Sequence, residues 1–149
     1  MRKHKKYTPK PKSVPMLINR KLEENVESVE EHATILAFRF GVATKENYDY
    51  LVRLANTMNI ANQLKTSIGS LRLSAELNVL SKSIIDRYNR TNKFGISGGE
   101  LKVMKCCVNN YDLYWKQQTT TFYNKCIAEL NAYYAEVEKN RIANSELKT

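Results

Sequence analysis

Leu73-Ser74-Ala75-Glu76-Leu77-Asn78-Val79-Leu80-Ser81-Lys82-Ser83-Ile84 is the stretch on which the fold turns. Its residues 73, 77, 80 and 84 are large and apolar, and steps of four, three and four keep them on one face of a helix. The pattern predicts a helix from about Ile68 to Tyr88, with the core centred on this seam.

Downstream, Arg90 to Gly99 reads as a loop, since it holds Asn92, Gly95, Gly98 and Gly99. Ser97-Gly98-Gly99-Glu100 then has the spacing of a capping box, in which serine and glutamate satisfy the orphan amides at a helix start. Leu101, Met104, Val108, Tyr111 and Trp115 follow on one face. The polar run Gln117 to Thr121 is expected to bend or break the helix, because threonine lowers helix propensity and competes for backbone hydrogen bonds. Phe122, Cys126, Leu130, Tyr133 and Val137 resume the pattern, and the chain is expected to fray from about Asn140.

Upstream, Thr44 is the expected N-cap of a helix reaching about Lys65, with Tyr48, Leu51, Ala55 and Met58 on its apolar stripe. Asn47, Asn56, Asn59 and Asn62 dilute that pattern. A first helix is expected from about Leu22 to Phe40, presenting Leu22, Val26, Val29, Ala33, Leu36 and Phe40 to the core. Glu23, Glu24, Glu27, Glu30 and Glu31 crowd its first turns, where the helix dipole favours negative charge, and Gly41 supplies a stop.

These readings define an all-α protein: a single-domain bundle of four to five helices over residues 22–140, with a frayed C-terminus at 141–149. The 149 residues, 42% hydrophobic, suffice for one core without disulfide or metal support. Residues 1–21 stand apart. All three prolines fall there, at Pro9, Pro11 and Pro15, interleaved with lysines. Proline removes backbone donors and like charges repel, so the expectation is a disordered basic arm.

Charge sharpens this division. The arm holds Arg2, Lys3, Lys5, Lys6, Lys10, Lys12, Arg20 and Lys21 with no acidic residue, which accounts for +8 of the formal net charge of +9. The rest of the chain is close to neutral. No apolar stretch has the length of a signal peptide core or a membrane span, because Thr34 and Arg39 interrupt the best candidate, Ala33 to Ala43. Three cysteines, two of them adjacent at Cys106 and Cys107, do not make a disulfide framework and point to a reducing, cytoplasmic setting.

Material for catalysis is scarce. The two histidines, His4 and His32, leave a nucleophile without a base and a metal without ligands. Adjacent cysteines on a helix point about 100° apart, so no zinc site is expected, and the glutamates of the first helix read as a solvated face. The sequence therefore points to no enzyme and no cofactor.

Binding residues are the better candidates. Arg2, Lys3, Lys5, Lys6, Tyr7, Lys10 and Lys12 suit a flexible segment that follows a phosphate backbone, with the tyrosine available to stack on a base. An acidic protein surface, or the acidic first helix of the same molecule, is the alternative partner for the arm. A second candidate is the aromatic density near the C-terminus, where seven of the 14 aromatic residues fall between Tyr111 and Tyr134. Tyr111, Trp115 and Phe122 lie on the apolar stripe. Tyr114, Tyr123 and Tyr134 lie beside it and are the expected protein-interface residues, for a host protein target or a homodimer. Ala37-Phe38-Arg39-Phe40-Gly41 resembles the first half of a helix-turn-helix, but the second half does not follow. Asn47 stands where its second helix needs an apolar residue, and Lys45 and Arg53 do not form a dense basic face.

With these features in view, the chain resembles small basic helical proteins encoded in phages and prophages. The resemblance rests on Arg2-Lys3-His4-Lys5-Lys6-Tyr7-Thr8-Pro9-Lys10, on Gly41-Val42-Ala43-Thr44 before a helix ending near Asn59, and on Arg87-Tyr88 before a glycine-containing loop and a long helix. It implies a mobile-element accessory protein, a class that includes transcriptional regulators and inhibitors of host defence such as anti-CRISPR proteins. The expected function is non-enzymatic binding of nucleic acid or a nucleoprotein complex. The alternatives are a protein–protein inhibitor or assembly factor using the aromatic helices, and a DNA-binding transcriptional regulator.

Overall fold

The computed structural model describes residues 29–147. The chain divides between His32 and Ala33, and the packing set out here is that of the second unit, 33–149. The described residues form five helices and no strand, so the fold is all-α: α1 (29–39), α2 (Lys45–Leu64), α3 (Ile68–Thr91), α4 (Gly98–Lys116) and α5 (Thr120–Leu147).

The seam of α3 is the axis of the bundle. Leu73, Leu77, Leu80 and Ile84 are all buried, and α3 packs extensively against both α2 and α4, while α5 lies on α2. The interior has two parts. Leu54, Met58, Ala61, Leu73, Leu77, Val108, Trp115 and Cys126 fill one, and Phe38, Leu51, Leu80, Ile84 and Met104 fill the other. Each of the four α2 asparagines has a task in this arrangement. Asn47 accepts hydrogen bonds at Oδ1 from the Thr44 amide at 2.9 Å and from its hydroxyl at 3.1 Å, closing the helix start. Asn56 donates to the Tyr134 hydroxyl on α5. Asn59 accepts from Ser74 and Asn78 on α3 and donates back to Asn78. Asn62 accepts from Ser70 on α3. Three residues that weaken the apolar pattern of α2, Asn56, Asn59 and Asn62, are thus its polar contacts with neighbouring helices, and the fourth closes its own start.

Helix ends follow local chemistry. The Ser97–Glu100 capping box forms, with the Ser97 amide donating to Glu100 Oε1 at 2.9 Å and the Glu100 amide to Ser97 Oγ at 3.1 Å. Gly41, at φ +71°, ends α1. Its amide donates to the Phe38 carbonyl, and that of Val42 to Ala37, the paired bonds of a Schellman motif. The chain breaks between Lys116 and Thr120, within the polar stretch expected to interrupt it.

Two expectations are corrected. Along the described part of α1, Ala33, Leu36 and Phe40 face outward, Phe40 being 69% exposed, whereas Thr34 and Phe38 are buried and Ile35 packs on both core clusters. This helix is apolar on two sides, and periodicity alone does not choose between them. The choice is made by the space between Leu51, Leu80, Ile84 and Met104, which Phe38 fills. At the other end, α5 runs to Leu147. No glycine or proline follows Gly99, and an ion pair between Arg141 and Glu138 spans one turn at 2.6 Å. Every residue from Asn131 to Leu147 is exposed, including Tyr133 and Val137, which the stripe placed inward.

The two phenylalanines of this region make the corrected α1 face testable. Phe38→Ala should lower stability by about 3–4 kcal/mol, the usual cost of emptying a phenylalanine site, whereas Phe40→Ala should stay within about 0.5 kcal/mol. Denaturant unfolding of both variants reads the difference, and equal losses would restore the outward face to the core.

Candidate functional site

The arm residues Arg2, Lys3, Lys5, Lys6, Tyr7, Lys10 and Lys12 lie outside the described residues, so the structure bears on the second candidate, the aromatic helices. Trp115 near the end of α4 is a hub. The rings of Tyr114 and Tyr123 meet it edge-on at centroid distances of 4.9 and 5.0 Å, Tyr111 at 6.1 Å, and Phe122 lies tilted at 5.9 Å. Edge-to-face contacts match the positive ring edge with the negative face and add about 0.5–1.5 kcal/mol per pair. Tyr114 and Tyr123 are accordingly half-buried against the core. Lys65 extends this cluster, its ammonium lying 5.7 Å from the centre of the Phe122 ring. Of the three tyrosines expected at an interface, only Tyr134 stands at the exposed part of α5.

At the opposite end of α2, Tyr48, Phe94 and Tyr88 form a second aromatic group. Phe94 stacks between the tyrosines, 5.4 Å from Tyr48 and 4.2 Å from Tyr88. Burial, with the carboxylates of Asp49 and Asp86, raises the Tyr48 hydroxyl above its ordinary range. Phe94 belongs to the loop between α3 and α4, and that loop is held by Arg87, which donates to the Gly95 carbonyl at 2.9 Å and to Glu100 at 2.6 Å. Ser83 donates to the other Glu100 oxygen, also at 2.6 Å. Burial pushes the Glu100 carboxyl up, but the hydrogen bonds from Ser83, Ser97 and Arg87 outweigh it and hold the group at about 2. A carboxylate so depressed is neither a proton donor nor a base near neutral pH. Its work is to tie α3, the loop and the start of α4 together.

The thiols are similarly quiet. Cys107 is fully buried and donates to Glu76 at 3.7 Å. Burial, with the Glu76 carboxylate beside it, pushes the thiol up to about 12. Cys126 is also buried and raised, principally by burial. Only Cys106 is exposed. Among the described residues, no group of three or more histidine, cysteine, aspartate or glutamate side chains is placed to hold a metal ion, and no helix is long and apolar enough to cross a membrane.

Comparison of the chain with protein families, with curated proteins and with solved structures finds no match. The reading of function therefore rests on the chain's own residues. The sequence reading missed the Arg87–Glu100 tie and the asparagine contacts of α2, because both join residues distant in sequence through side chains whose partners periodicity does not name. It also missed an outward apolar row on α3, formed by Ile68, Leu71, Ala75 and Val79. The signal for that row was present as a second set of apolar residues at helical spacing.

Two measurements follow. An aromatic disulfide reagent should titrate one thiol per chain in the native protein and three in denaturant; rapid native reaction at more than one would show that Cys107 or Cys126 is accessible. Glu100 binds fewer protons folded than unfolded, so its stabilising contribution is complete above the ordinary glutamate range and is lost as pH falls from about 4.5 toward 2. Glu100→Gln should be less stable than the parent at pH 7, with the gap closing across that window. An equal gap at pH 7 and pH 2.5 would refute the ionic role.

Proposed function

We propose that this protein is a non-enzymatic binding protein whose basic arm engages the phosphate backbone of a nucleic acid, alone or within a nucleoprotein complex. The observation that carries the reading is charge segregation: residues 1–21 hold eight basic and no acidic side chains, while the remainder has 16 of the 24 basic residues against all 15 acidic ones. A chain selected for general solubility has no need to concentrate its net charge in one segment. A backbone-tracking segment gains from it, since each phosphate neutralised releases counterions. Lys3, Lys5, Lys6, Lys10 and Lys12 make the sequence-independent contacts in this reading, with Arg2 beside them and Tyr7 stacking on a base. The helical unit supplies shape and partner specificity.

The resemblance to helical proteins of phages and prophages supports a place among mobile-element accessory proteins, including anti-CRISPR-like inhibitors of host defence, acting in the cytoplasm. A transcriptional regulator reading through α2 is less favoured. Its exposed residues mix Lys45 and Arg53 with Glu46 and Asp49, and a recognition helix needs side chains free to reach base edges. A second reading, as a protein–protein inhibitor or assembly factor, draws on the exposed end of α5, where Tyr133, Tyr134 and Val137 offer apolar surface.

Binding to labelled DNA and RNA over a salt series separates these readings. The full chain should bind with an affinity that falls steeply with salt. Replacing Lys3, Lys5, Lys6, Lys10 and Lys12 by glutamine should weaken binding and reduce the logarithmic salt slope by up to about 4. An unchanged affinity and slope would remove the arm from the function. Loss of a protein partner on Tyr134→Ala, with arm deletion harmless, would favour the second reading.

A further inference from the structure

The outward face of α3 carries a feature that the nucleic-acid reading does not use. Ile68, Leu71, Ala75 and Val79 follow one another at steps of three and four, and Ile68, Leu71 and Val79 are 88%, 54% and 70% exposed. Beside Val79 lies a concavity of about 320 Å³ between α3 and α4, bounded by Ala75, Glu76, Val79, Leu80 and Ser83 on one side and Glu100 and Val103 on the other, with almost all of its exposed wall apolar. Val103 is itself exposed. The same helix buries Leu73, Leu77, Leu80 and Ile84 on its inner face, so the outer row is additional to what the core requires. A single exposed apolar residue is ordinary, whereas a contiguous row beside an apolar concavity marks an interaction surface.

The charges along this row say what fits it. Arg72, Val79 and Asp86 stand seven residues apart, two helical turns, and therefore lie nearly in line. The order is positive, apolar, negative. A second α3 laid antiparallel across the first, with the two-fold axis at Val79, brings Arg72 of each copy opposite Asp86 of the other. Parallel pairing would set arginine on arginine and aspartate on aspartate. In the antiparallel register Ala75 comes opposite Ser83, small residues that let two helices approach closely, and the two Val79 side chains meet at the axis beside the concavities. Ile68 comes opposite Arg90, whose methylene stem can cover it. Among the described residues, Arg72 and Asp86 pair with neighbours one turn away, Glu76 and Lys82, at 3.2 and 3.6 Å, and both side chains are themselves largely exposed. Such pairs exchange partners at little cost.

From this geometry we propose that α3 is a self-association surface on which a second copy of the chain docks antiparallel about Val79. The row from Ile68 to Arg90 is about 33 Å long. A strip of that length and the width of a helix face buries roughly 800 Å² in all, which is the size of a weak, exchanging interface. The dimer therefore forms in the micromolar range and is further weakened by salt. The proposal is independent of the arm's role.

Sedimentation equilibrium of the full chain, from about 1 to about 500 μM, tests it. The parent should pass from monomer to dimer over this range. Val79→Glu, which sets two like charges at the axis on an exposed position, should remain monomeric with unchanged helical circular dichroism. Arg72→Asp should weaken the dimer at least tenfold, and the exchange Arg72→Asp with Asp86→Arg should restore it, a rescue that a general loss of folding would not give. Val79→Cys on a Cys106→Ser background should yield a covalent dimer on mild oxidation, since only a residue at the axis meets its own copy. A parent chain monomeric throughout, or a dimer indifferent to both Val79→Glu and the charge exchange, overturns the proposal.

Discussion

The packing of α2 against α3 is the contact on which the remaining helices depend. Leu54, Met58 and Ala61 meet Leu73 and Leu77 in one apolar cluster, and Asn59 and Asn62 are hydrogen-bonded to Ser70, Ser74 and Asn78 across the same junction. The apolar part supplies most of the free energy, since burying a leucine side chain contributes about 1.5–3 kcal/mol. The polar part contributes mainly specificity. An asparagine partly removed from water costs free energy unless paired, so a slip of α2 along α3 would lose the asparagine bonds as well as the leucine contacts. With that pair fixed, α4 closes on α3 and α5 on α2.

A hydrogen-bonded carboxylate at one end of the bundle and a group of aromatic rings at the other set its geometry. Glu100 receives Arg87, Ser83 and the Ser97 amide, so one carboxylate fixes the turn from α3 to α4. At the far end the Trp115 cluster does the comparable work with rings, and the Lys65 ammonium over Phe122 links the end of α2 to the start of α5. These are structural assignments for groups that a search for catalysis would examine first. The anchored Glu100 carboxylate and the buried, raised thiols of Cys107 and Cys126 are themselves poorly suited to proton transfer or nucleophilic attack. What the described residues offer instead is surface: the outer row of α3 and the exposed length of α5.

A strongly basic segment and a nearly neutral remainder suit different kinds of recognition. Phosphate contacts act at long range and without sequence preference, so in the proposed reading the arm would hold the protein near a polyanion. Selectivity must then come from shape. If two chains pair through α3, each assembly carries two arms, and two weak electrostatic contacts on one polymer reinforce each other through effective concentration. A marginal interface of helix faces suits that arrangement, because binding to a common polyanion raises the local concentration of chains.

Sequence by itself determined the helical class, the α3 seam, the stop at Gly41, the Ser97–Glu100 box and the break after Lys116, because each follows from interactions within a few residues. The segregation of charge into residues 1–21 is equally a property of the sequence, and the nucleic-acid reading descends from it. Tertiary structure alone decided which of two apolar faces of α1 turns inward. It also decided that Tyr114 and Tyr123 pack on Trp115 while Tyr134 stands on the exposed part of α5, tied to α2 through Asn56, and that the residues of α5 past Leu130 are exposed. The physical reason is the same in each case: a helix with apolar residues on more than one side satisfies periodicity in several orientations. Only the volume offered by the other helices, here the space that Phe38 fills among Leu51, Leu80, Ile84 and Met104, selects one of them.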